Sequence, residues 1–473
     1  MICNSWICRE IKRPGNCVEE KYDVLVVGAG IGGLAAAQEL TKYGLKVGLF
    51  SEGPKGGHNA LDGGLTISGA PAREYIDRYS VEPRKAVFDG DVLIFGDNCI
   101  KPVYKHLILS TGGVEMYLPM PGSPQVVLAS EALEAGTSGK KLLVWGTTEW
   151  GLRVALALAE RGNEVVVADN SAYLRDVKYY QGIKDKLQKL GIEVMYSTTV
   201  ERYKDGELKL RVYLGKKGVE RRSIKVDAVV SAVRTANLYI PLRLGLKVYY
   251  SFELNSLVPR RNSFGEILKL DERGKSVGGT NIYAVGELYG AVYAHLEEAH
   301  GKLLAAYIAS KEGLEDKDKV SKALEDFRNR IALEVNWLYN LDLRLSRGTD
   351  YSDLYVEPNV IDAPGWPYFW PNALDEIDGD QILCPCTGLR LSDFMKAVDR
   401  LNKGRVEIKV TSDEVNRLRH AKLPTIDQIQ RGPSPCFETL CVPNIAIVAG
   451  AIYAQKPSYL LYGKPKQLYE SAL

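Results

Sequence analysis

Two groups of residues in this sequence have the types and spacing that cofactor chemistry needs. Toward the C-terminal end, Cys384-x-Cys386 and Cys436-x4-Cys441 place four thiols in two tight pairs, and four thiolates are the ligand set of a 2Fe-2S cluster. Structural zinc sites more usually show Cys-x2-Cys knuckles, so the spacing favours iron-sulfur over zinc, with unliganded thiols as the remaining alternative. Toward the N-terminal end, Gly28-Ala29-Gly30-Ile31-Gly32-Gly33 follows an apolar run. The first glycine of such a series makes the turn, the second admits a pyrophosphate and the third lets helix and strand pack. Glu52, 24 residues after Gly28, stands where the next apolar run ends. It is placed to accept hydrogen bonds from a ribose hydroxyl, while the helix N-terminus adds partial positive charge. These residues suit an ADP-containing ligand and do not separate FAD from NAD or ATP. A glycine turn used only for packing is the alternative.

Two weaker features accompany them. The loop from Gly53 to Gly64, with Gly57 inside it, is dense in glycine and lets backbone approach a flat ring system, unless it is simply a surface loop. A second turn, Gly146-Thr147-Thr148-Glu149-Trp150-Gly151, has threonine where the second glycine belongs, and a Cβ there crowds a pyrophosphate. Asp169, 18 residues after Gly151, suits a ribose 2′-hydroxyl, so a nicotinamide cofactor here is expected to be NAD rather than NADP. A domain retained without a ligand is the equal alternative.

The elements that must position these residues follow from hydrophobic patterning. Tyr22 to Val27 and Lys46 to Phe50 are uninterrupted apolar runs flanking a helical stretch, Leu34 to Tyr43, which is a βαβ unit of a parallel sheet covered on both faces. Lys141 to Trp145, Leu152 to Arg161 and Glu164 to Asp169 repeat the pattern. Short strands at Ile192 to Tyr196, Glu207 to Leu214 and Ser223 to Val233 suit a β-meander. The strand Asn281 to Glu287 and a helix from Ala291 to Lys311 return to the first domain. The expected fold is α/β, with two Rossmann-like dinucleotide-binding domains, the second inserted in the first, and a small α-helical cysteine-cluster domain. The boundaries are an arm at 1–20, the first domain at 21–125 and 240–310, the second at 126–239, a linker or contact region at 311–379 and the cysteine domain at 380–473.

Composition excludes several classes. With 473 residues, 45% hydrophobic and 25% charged, the chain has the make-up of a globular protein of about two to four domains. A net charge of +2 and the lack of a Lys/Arg block with interleaved aromatics leave nothing to attract nucleic acid. The apolar stretch Ile445 to Ala454 is about half a bilayer span, and no secretory signal opens the chain, so no transmembrane segment and a cytoplasmic location are expected. Eight cysteines in such a chain point to metal or redox chemistry rather than to a disulfide framework.

Over about residues 21 to 310 the sequence resembles the two-dinucleotide-domain flavoproteins of the pyridine nucleotide-disulfide reductase fold. Lys105 to Gly113 is similar to that family's strand-to-Thr-Gly segment, which implies that Thr111 and Gly112 lie near the flavin. Val226 to Val233 is similar to the strand closing the second domain. Ile282 to Glu287 is similar to the late flavin motif, with Gly286 in place and Glu287 where the family usually has aspartate. Redox-active members carry a close cysteine pair near the flavin, whereas the one cysteine between positions 18 and 383 is Cys99. A dithiol reductase is thereby excluded, and Cys99 is read as a small buried hydrophobe. Cys3, Cys8 and Cys17 are one ligand short of a closed metal site, and His295 and His300 are read as packing or surface residues.

The C-terminal cysteines are similar to those of the small helical 2Fe-2S domain of bacterioferritin-associated ferredoxin, with Thr425 to Cys436 matching the helix into the third ligand. Phe437 to Leu440 replaces the usual Gln-Gly, and about twenty extra residues near 402 to 424 separate the pairs. Two dinucleotide domains followed by this domain resemble the α subunits of dye-linked L-proline dehydrogenase, heterotetrameric sarcosine oxidase, opine oxidases and hydrogen cyanide synthase. The resemblance implies an electron-transfer subunit in a hetero-oligomer, whose β-type catalytic flavoprotein partner handles an amino-acid or amine substrate. It implies FAD or ATP at the first site, a 2Fe-2S cluster, NAD at an occupied second site and FMN at a subunit interface. A self-contained NADH-dependent reductase and an ATP-binding scaffold that docks a catalytic partner through the Trp366 to Trp370 segment are the competing readings.

Overall fold

The computed structural model describes residues 14–335 apart from short stretches such as 116–124, 170–176 and 214–218, together with Leu338, Asp342 and two short strands, Ile382–Cys384 and Leu389–Arg390. Cys3, Cys8, Cys386, Cys436 and Cys441, the Trp366 to Trp370 segment and the expected helix into Cys436 lie outside the described residues. The chain forms two compact units. One is built from Ile11–Val114 and Ala236–Tyr355, and the described part of the other is within Glu115–Thr235 together with the two short strands at 382–384 and 389–390.

In the first unit the chain runs through β1 (Val18–Val27), α1 (Ile31–Lys42), β2 (Val47–Ser51), a one-turn α2 (Gly57–Leu61), the short strands β3 (Arg84–Lys85), β4 (Val87–Phe88) and β5 (Leu93–Phe95), and the long β6 (Asn98–Leu109). It leaves through β7 (Gly113–Glu115). β1 pairs in parallel with β2, Val24 opposite Val47, and with β6, Val24 opposite His106. Both faces of these strands are covered, so Val24, Leu25 and Val26 have no exposed surface, as uninterrupted apolar strands of a parallel sheet require. Leu34, Ala35, Ala36 and Leu40 bury the inner side of α1, each leucine contributing about 2 kcal/mol of apolar burial.

The inserted unit carries β8 (Val126–Leu128), α3 (Ala129–Glu134), β9 (Lys141–Trp145), α4 (Glu149–Glu160), β10 (Glu164–Ala168), α5 (Val177–Lys189), β11 (Glu193–Met195), the strands β12 (Thr198–Lys204), β13 (Glu207–Tyr213) and β14 (Val219–Lys225), then β15 (Ala228–Ser231) and β16 (Arg234–Ala236). Its main sheet has the order β11-β10-β9-β15-β8, parallel throughout. β12, β13 and β14 form a separate antiparallel sheet, closed on one face by Val200, Leu208, Leu210 and Val212. The single strand expected from Ser223 to Val233 is corrected here. It breaks at Val226-Asp227, so that β14 ends the meander and β15 enters the parallel sheet.

Back in the first unit come β17 (Val248–Ser251), β18 (Ser256–Pro259), β19 (Glu266–Leu270), β20 (Ser276–Ala284), a short turn of helix Gly286–Leu288, then α6 (Ala294–Lys311) and α7 (Lys317–Glu334). β20 completes the parallel set by pairing with β6, Tyr283 opposite Ile108. The charged stretch Lys311 to Asp326, whose pattern suits a solvated helix or a linker, is largely the amphipathic α7. Asp316 caps α7 by accepting from the Asp318 N–H at 2.7 Å, and Val320, Phe327 and Ile331 are buried. No helix among the described residues is long and apolar enough to cross a membrane.

The cysteine readings also change. Cys17 and Cys99 form a disulfide across 82 residues of sequence. Cys99 is buried beside Val92 and Ile94, as a small hydrophobe would be, but it is not a single thiol, and Cys17 is withdrawn from the arm's set of three. A pairing this distant has no local pattern to announce it.

Candidate functional site

The first nucleotide turn is built at the carboxyl end of β1. Gly28 has φ of +96°, and a Cβ on it would stand 2.1 Å from Ser110 O, so no other residue fits. Gly33 is held by the same neighbour, its Cβ position lying 2.5 Å from Gly28 O and 2.8 Å from the Ser110 side chain. Gly30 differs. Within 4 Å of its Cβ position stand only Ser110 Oγ at 3.2 Å and Ser110 O at 3.8 Å, so this glycine leaves open the approach that a pyrophosphate uses. Ile31 is buried at the start of α1, and Gly32 meets α6. A Cβ on Gly32 would be 2.7 Å from Val285 Cγ2, and one on Gly301 would be 2.3 Å from Gly32 O. Gly32 therefore serves helix packing.

The glycine-rich loop after β2 closes on this turn. Glu52 directly follows β2 and is half-buried. The Gly56 N–H donates to Ala29 O at 2.8 Å, and the Cβ position of Gly57 is 3.5 Å from Gly30 Cα. Gly28, Gly30, Glu52 and Gly57 are thus brought around one bare turn at the N-terminus of a twelve-residue helix.

A second cluster gathers at the carboxyl ends of β6 and β20. The Ser110 N–H donates to Val27 O and the Asn237 N–H to Gly112 O, while Thr111 Oγ1 donates to Asn237 O at 3.4 Å. Glu287, on the turn after β20, reaches across so that a Cβ on Gly113 would be 2.1 Å from its Oε1. Gly286 begins the same turn, and Tyr289 ends it inside a buried polar group. Arg261 Nε and Nη2 donate to Tyr289 O at 3.1 and 2.6 Å, the Tyr289 hydroxyl donates to Asp342 Oδ1 at 2.9 Å, and His300 stacks on the ring at 3.5 Å between centroids. Burial, with Arg261 close by, lowers the His300 pKa to about 3, and burial raises that of Tyr289 well above the usual phenol value. His295 Nε2 is 2.7 Å from Glu334 Oε2, with its pKa lowered by burial against the opposing pull of that carboxylate. Both histidines pack inside the fold, neither on its surface.

In the inserted unit, Gly146 and Gly151 occupy the ends of the second turn, with the Cβ position of Gly151 2.1 Å from Gly146 O. Between them Thr148 precedes α4, Glu149 pairs with Arg153 at 2.6 Å, and the Trp150 indole donates to Glu115 Oε1 at 3.0 Å. Asp169, only 3% exposed, accepts at Oδ2 from the Thr147 N–H at 2.8 Å and the Thr147 hydroxyl at 2.9 Å.

The profile of the pyridine nucleotide-disulphide oxidoreductase family matches residues 22–313. This chain belongs to that family. Similar solved structures include L-proline dehydrogenase from P. horikoshii, at 19% identity and a TM-score of 0.48, covering 94% of this chain and 76% of that one. T. acidophilum thioredoxin reductase is similar at 18% identity and 0.44, covering 62% and 99%. Histamine dehydrogenase from Rhizobium sp. 4-9 is similar at 18% and 0.40, covering 63% and 44%. Among curated proteins none matches this sequence.

Membership makes the chain a flavin-dependent oxidoreductase of the Rossmann type and implies FAD binding. The first turn fits that ligand, because the open Cβ position of Gly30 and the bare helix N-terminus are the features a diphosphate needs. Gly30 and the first-turn N–H groups of α1 would hold the diphosphate and Glu52 the ribose, and bound flavin would supply hydride and single-electron transfer. The family's usual dithiol is not beside this site among the described residues. Cys99 lies at the amino end of β6, about 36 Å along the strand from Ser110 at the roughly 3.3 Å rise of an extended chain. Sequence reasoning missed Ser110, Gly56, Gly113 and Asn237. Ser110 and Gly113 lie inside the Lys105 to Gly113 segment and Gly56 inside the Gly53 to Gly64 loop without being singled out there, whereas Asn237 is distant and has no local signal.

Proposed function

We propose that this chain is the electron-transfer flavoprotein subunit of a multi-subunit amino-acid or amine dehydrogenase. A separate catalytic flavoprotein subunit takes the substrate, and this chain passes electrons between flavin and a 2Fe-2S centre held by Cys384, Cys386, Cys436 and Cys441. The observation that carries the reading is a complete first nucleotide turn with no thiol pair beside it among the described residues. A flavoprotein of this family without a dithiol near its flavin does not reduce disulfides by the family's usual route, and its electrons need another exit. Four C-terminal thiols in two tight pairs provide the ligands for one.

The experiment is an anaerobic absorbance spectrum of the purified chain, with released nucleotide identified and iron counted, before and after NADH. Expected are flavin and cluster absorption unchanged by NADH, iron lost in Cys436→Ser, and co-purification with a second flavoprotein whose amine or amino-acid substrate reduces the assembly. Rapid bleaching by NADH would replace this reading with a self-contained reductase. A colourless protein that releases only ATP would replace it with a scaffold.

A further inference from the structure

In a doubly wound sheet a ligand binds beyond the carboxyl ends of the strands, at the point where the winding reverses. In the inserted unit that point lies between β9 and β15, because β10 and β11 extend the sheet on one side and β15 and β8 on the other. The residues that follow these strands are Gly146 to Trp150 after β9, Ala232 to Arg234 after β15, and Ala129-Ser130 after β8. Their side chains are joined to one another across the crevice. The Trp150 indole donates to Glu115 Oε1, and Glu115 Oε2 accepts from the Ser130 N–H at 3.1 Å and from its hydroxyl. One carboxylate thereby ties the N-terminal turns of α3 and α4 together. The guanidinium groups of Arg153 and Arg234 stand 4.9 and 5.6 Å from the Trp150 ring, and Trp150 is 8% exposed.

The first unit's turn supplies the comparison. With Gly28 set on Gly146 and Gly33 on Gly151, Gly30, Ile31 and Gly32 correspond to Thr148, Glu149 and Trp150. The open approach over Gly30 becomes a threonine. The first turn of α4, where a pyrophosphate would bring two negative charges, already holds the Glu149 carboxylate, whose side chain is 6% exposed, in the favourable field of the helix N-terminus. Asp169, which in an occupied site faces the ribose, is tied to Thr147 at the base of the turn.

We infer that the dinucleotide crevice of the inserted unit is closed from inside by Trp150 and Glu115, so that no nicotinamide dinucleotide binds there. Entry would require the indole to leave Glu115 and would abandon buried polar groups without partners, which is unfavourable, while bringing a pyrophosphate beside the Glu115 carboxylate and beside Glu149, which is already paired with Arg153. The unit acts as a ligand-free domain, and electrons do not arrive by way of NADH. This inference goes beyond the proposed function. Bleaching by NADH would overturn both, loss of flavin or iron would overturn that reading alone, and dinucleotide binding to the inserted unit without bleaching would overturn this one alone.

The test is isothermal titration of the full chain with NADH and with NAD, with excess FAD present to keep the first turn filled. The wild-type chain is expected to give no saturable binding at millimolar nucleotide. Thr148→Gly with Trp150→Ala, which restores the missing glycine and removes the plug, is expected to gain binding by about tenfold or more. Saturable submillimolar binding to the wild-type chain overturns the inference. So does a double variant that keeps the wild-type circular dichroism and melting temperature yet binds nothing, because Trp150 would then not be what closes the crevice. Should the double variant fail to fold, Trp150→Leu is expected to give a smaller gain of the same kind, and a folded Trp150→Leu without gain counts against the inference in the same way.

Discussion

The guanidinium of Arg261 lies over the ring of Tyr289, its central carbon 3.3 Å from the ring centroid, while two of its nitrogens donate to the carbonyl of that same tyrosine. The pair is fully buried, and one carboxylate completes it. Asp342 takes Arg261 Nη1 at 3.2 Å and Arg328 Nε at 3.0 Å. Because Tyr289 ends the turn that carries Glu287, this group fixes the backbone beside the candidate flavin region.

Replacing Asp342 with alanine would leave the Arg261 charge buried without its counter-ion, a change that costs about 3–5 kcal/mol. The expected outcome is a large loss in denaturant midpoint. Asp342→Asn keeps the shape and one acceptor, so its loss is expected to be smaller. Burial alone would raise the Asp342 pKa, but Arg261 and the hydrogen bonds of Tyr289 and Arg328 hold it below the ordinary carboxylate value. The stabilisation is therefore present above the unfolded carboxylate pKa and is lost as pH falls through the folded one. An alanine variant no less stable than wild type would show that the network contributes nothing.

His300 gives a second acid-side dependence in a different window. Its folded pKa is lowered from 6.5 to about 3 by burial first and Arg261 second. The unfolded chain then binds a proton that the folded chain refuses, so stability is full above pH 6.5 and declines as pH falls toward 3. His300→Phe, whose ring can stack on Tyr289 and meet Phe327 as the imidazole does, is expected to flatten the slope of unfolding free energy between pH 6.5 and 4. An unchanged slope would assign the dependence to other groups.

Gly28 and Gly30 are expected to separate folding from binding. Gly28→Ala puts a Cβ 2.1 Å from a backbone carbonyl at positive φ and should yield little folded protein. The Cβ of Gly30→Val would meet only Ser110 atoms, at 3.2 and 3.8 Å, at a backbone conformation any residue adopts, so the variant should fold and melt near the wild-type apoprotein. It should nevertheless lose adenine-nucleotide binding by about tenfold or more, or roughly 1.4 kcal/mol. Nucleotide retained in Gly30→Val would mean that the turn serves packing only.

What the sequence made legible is what local sterics dictate. A glycine series between an apolar strand and a helix can be read from neighbours alone, and the first turn stands where the spacing put it. The second turn was legible as damaged through Thr148, but not as plugged, because the plug joins Trp150 to Glu115 across 35 residues. Arg261 and Asp342, 81 apart, are likewise chosen by tertiary packing, with no periodicity that marks an arginine for burial. The same limit explains the misplaced end of the meander. Ser223 to Val233 is one apolar-rich run in sequence, and only the sheets decide that Val226-Asp227 divides it.

The Cys17–Cys99 disulfide yields the last prediction. Cys17 immediately precedes β1 and Cys99 is the second residue of β6, whose Ile100 faces Val18 in the parallel ladder. The bond thus closes a long loop that contains the whole first nucleotide turn. In the chain-entropy account such a cross-link stabilises mainly by restricting the unfolded state, typically by about 2–4 kcal/mol and more for longer loops. Cys17→Ser is therefore expected to lower the melting temperature of the non-reduced protein and to make it insensitive to added reductant, while wild type falls to the level of the variant when reduced. Since the bond lies at the amino end of β6, away from Ser110 and Gly28, nucleotide content should not change in folded Cys17→Ser. Non-reducing peptide mapping supplies the direct check: a fragment joining Cys17 to Cys99 is expected, and recovering both as separate thiols from unreduced protein would exclude the bond.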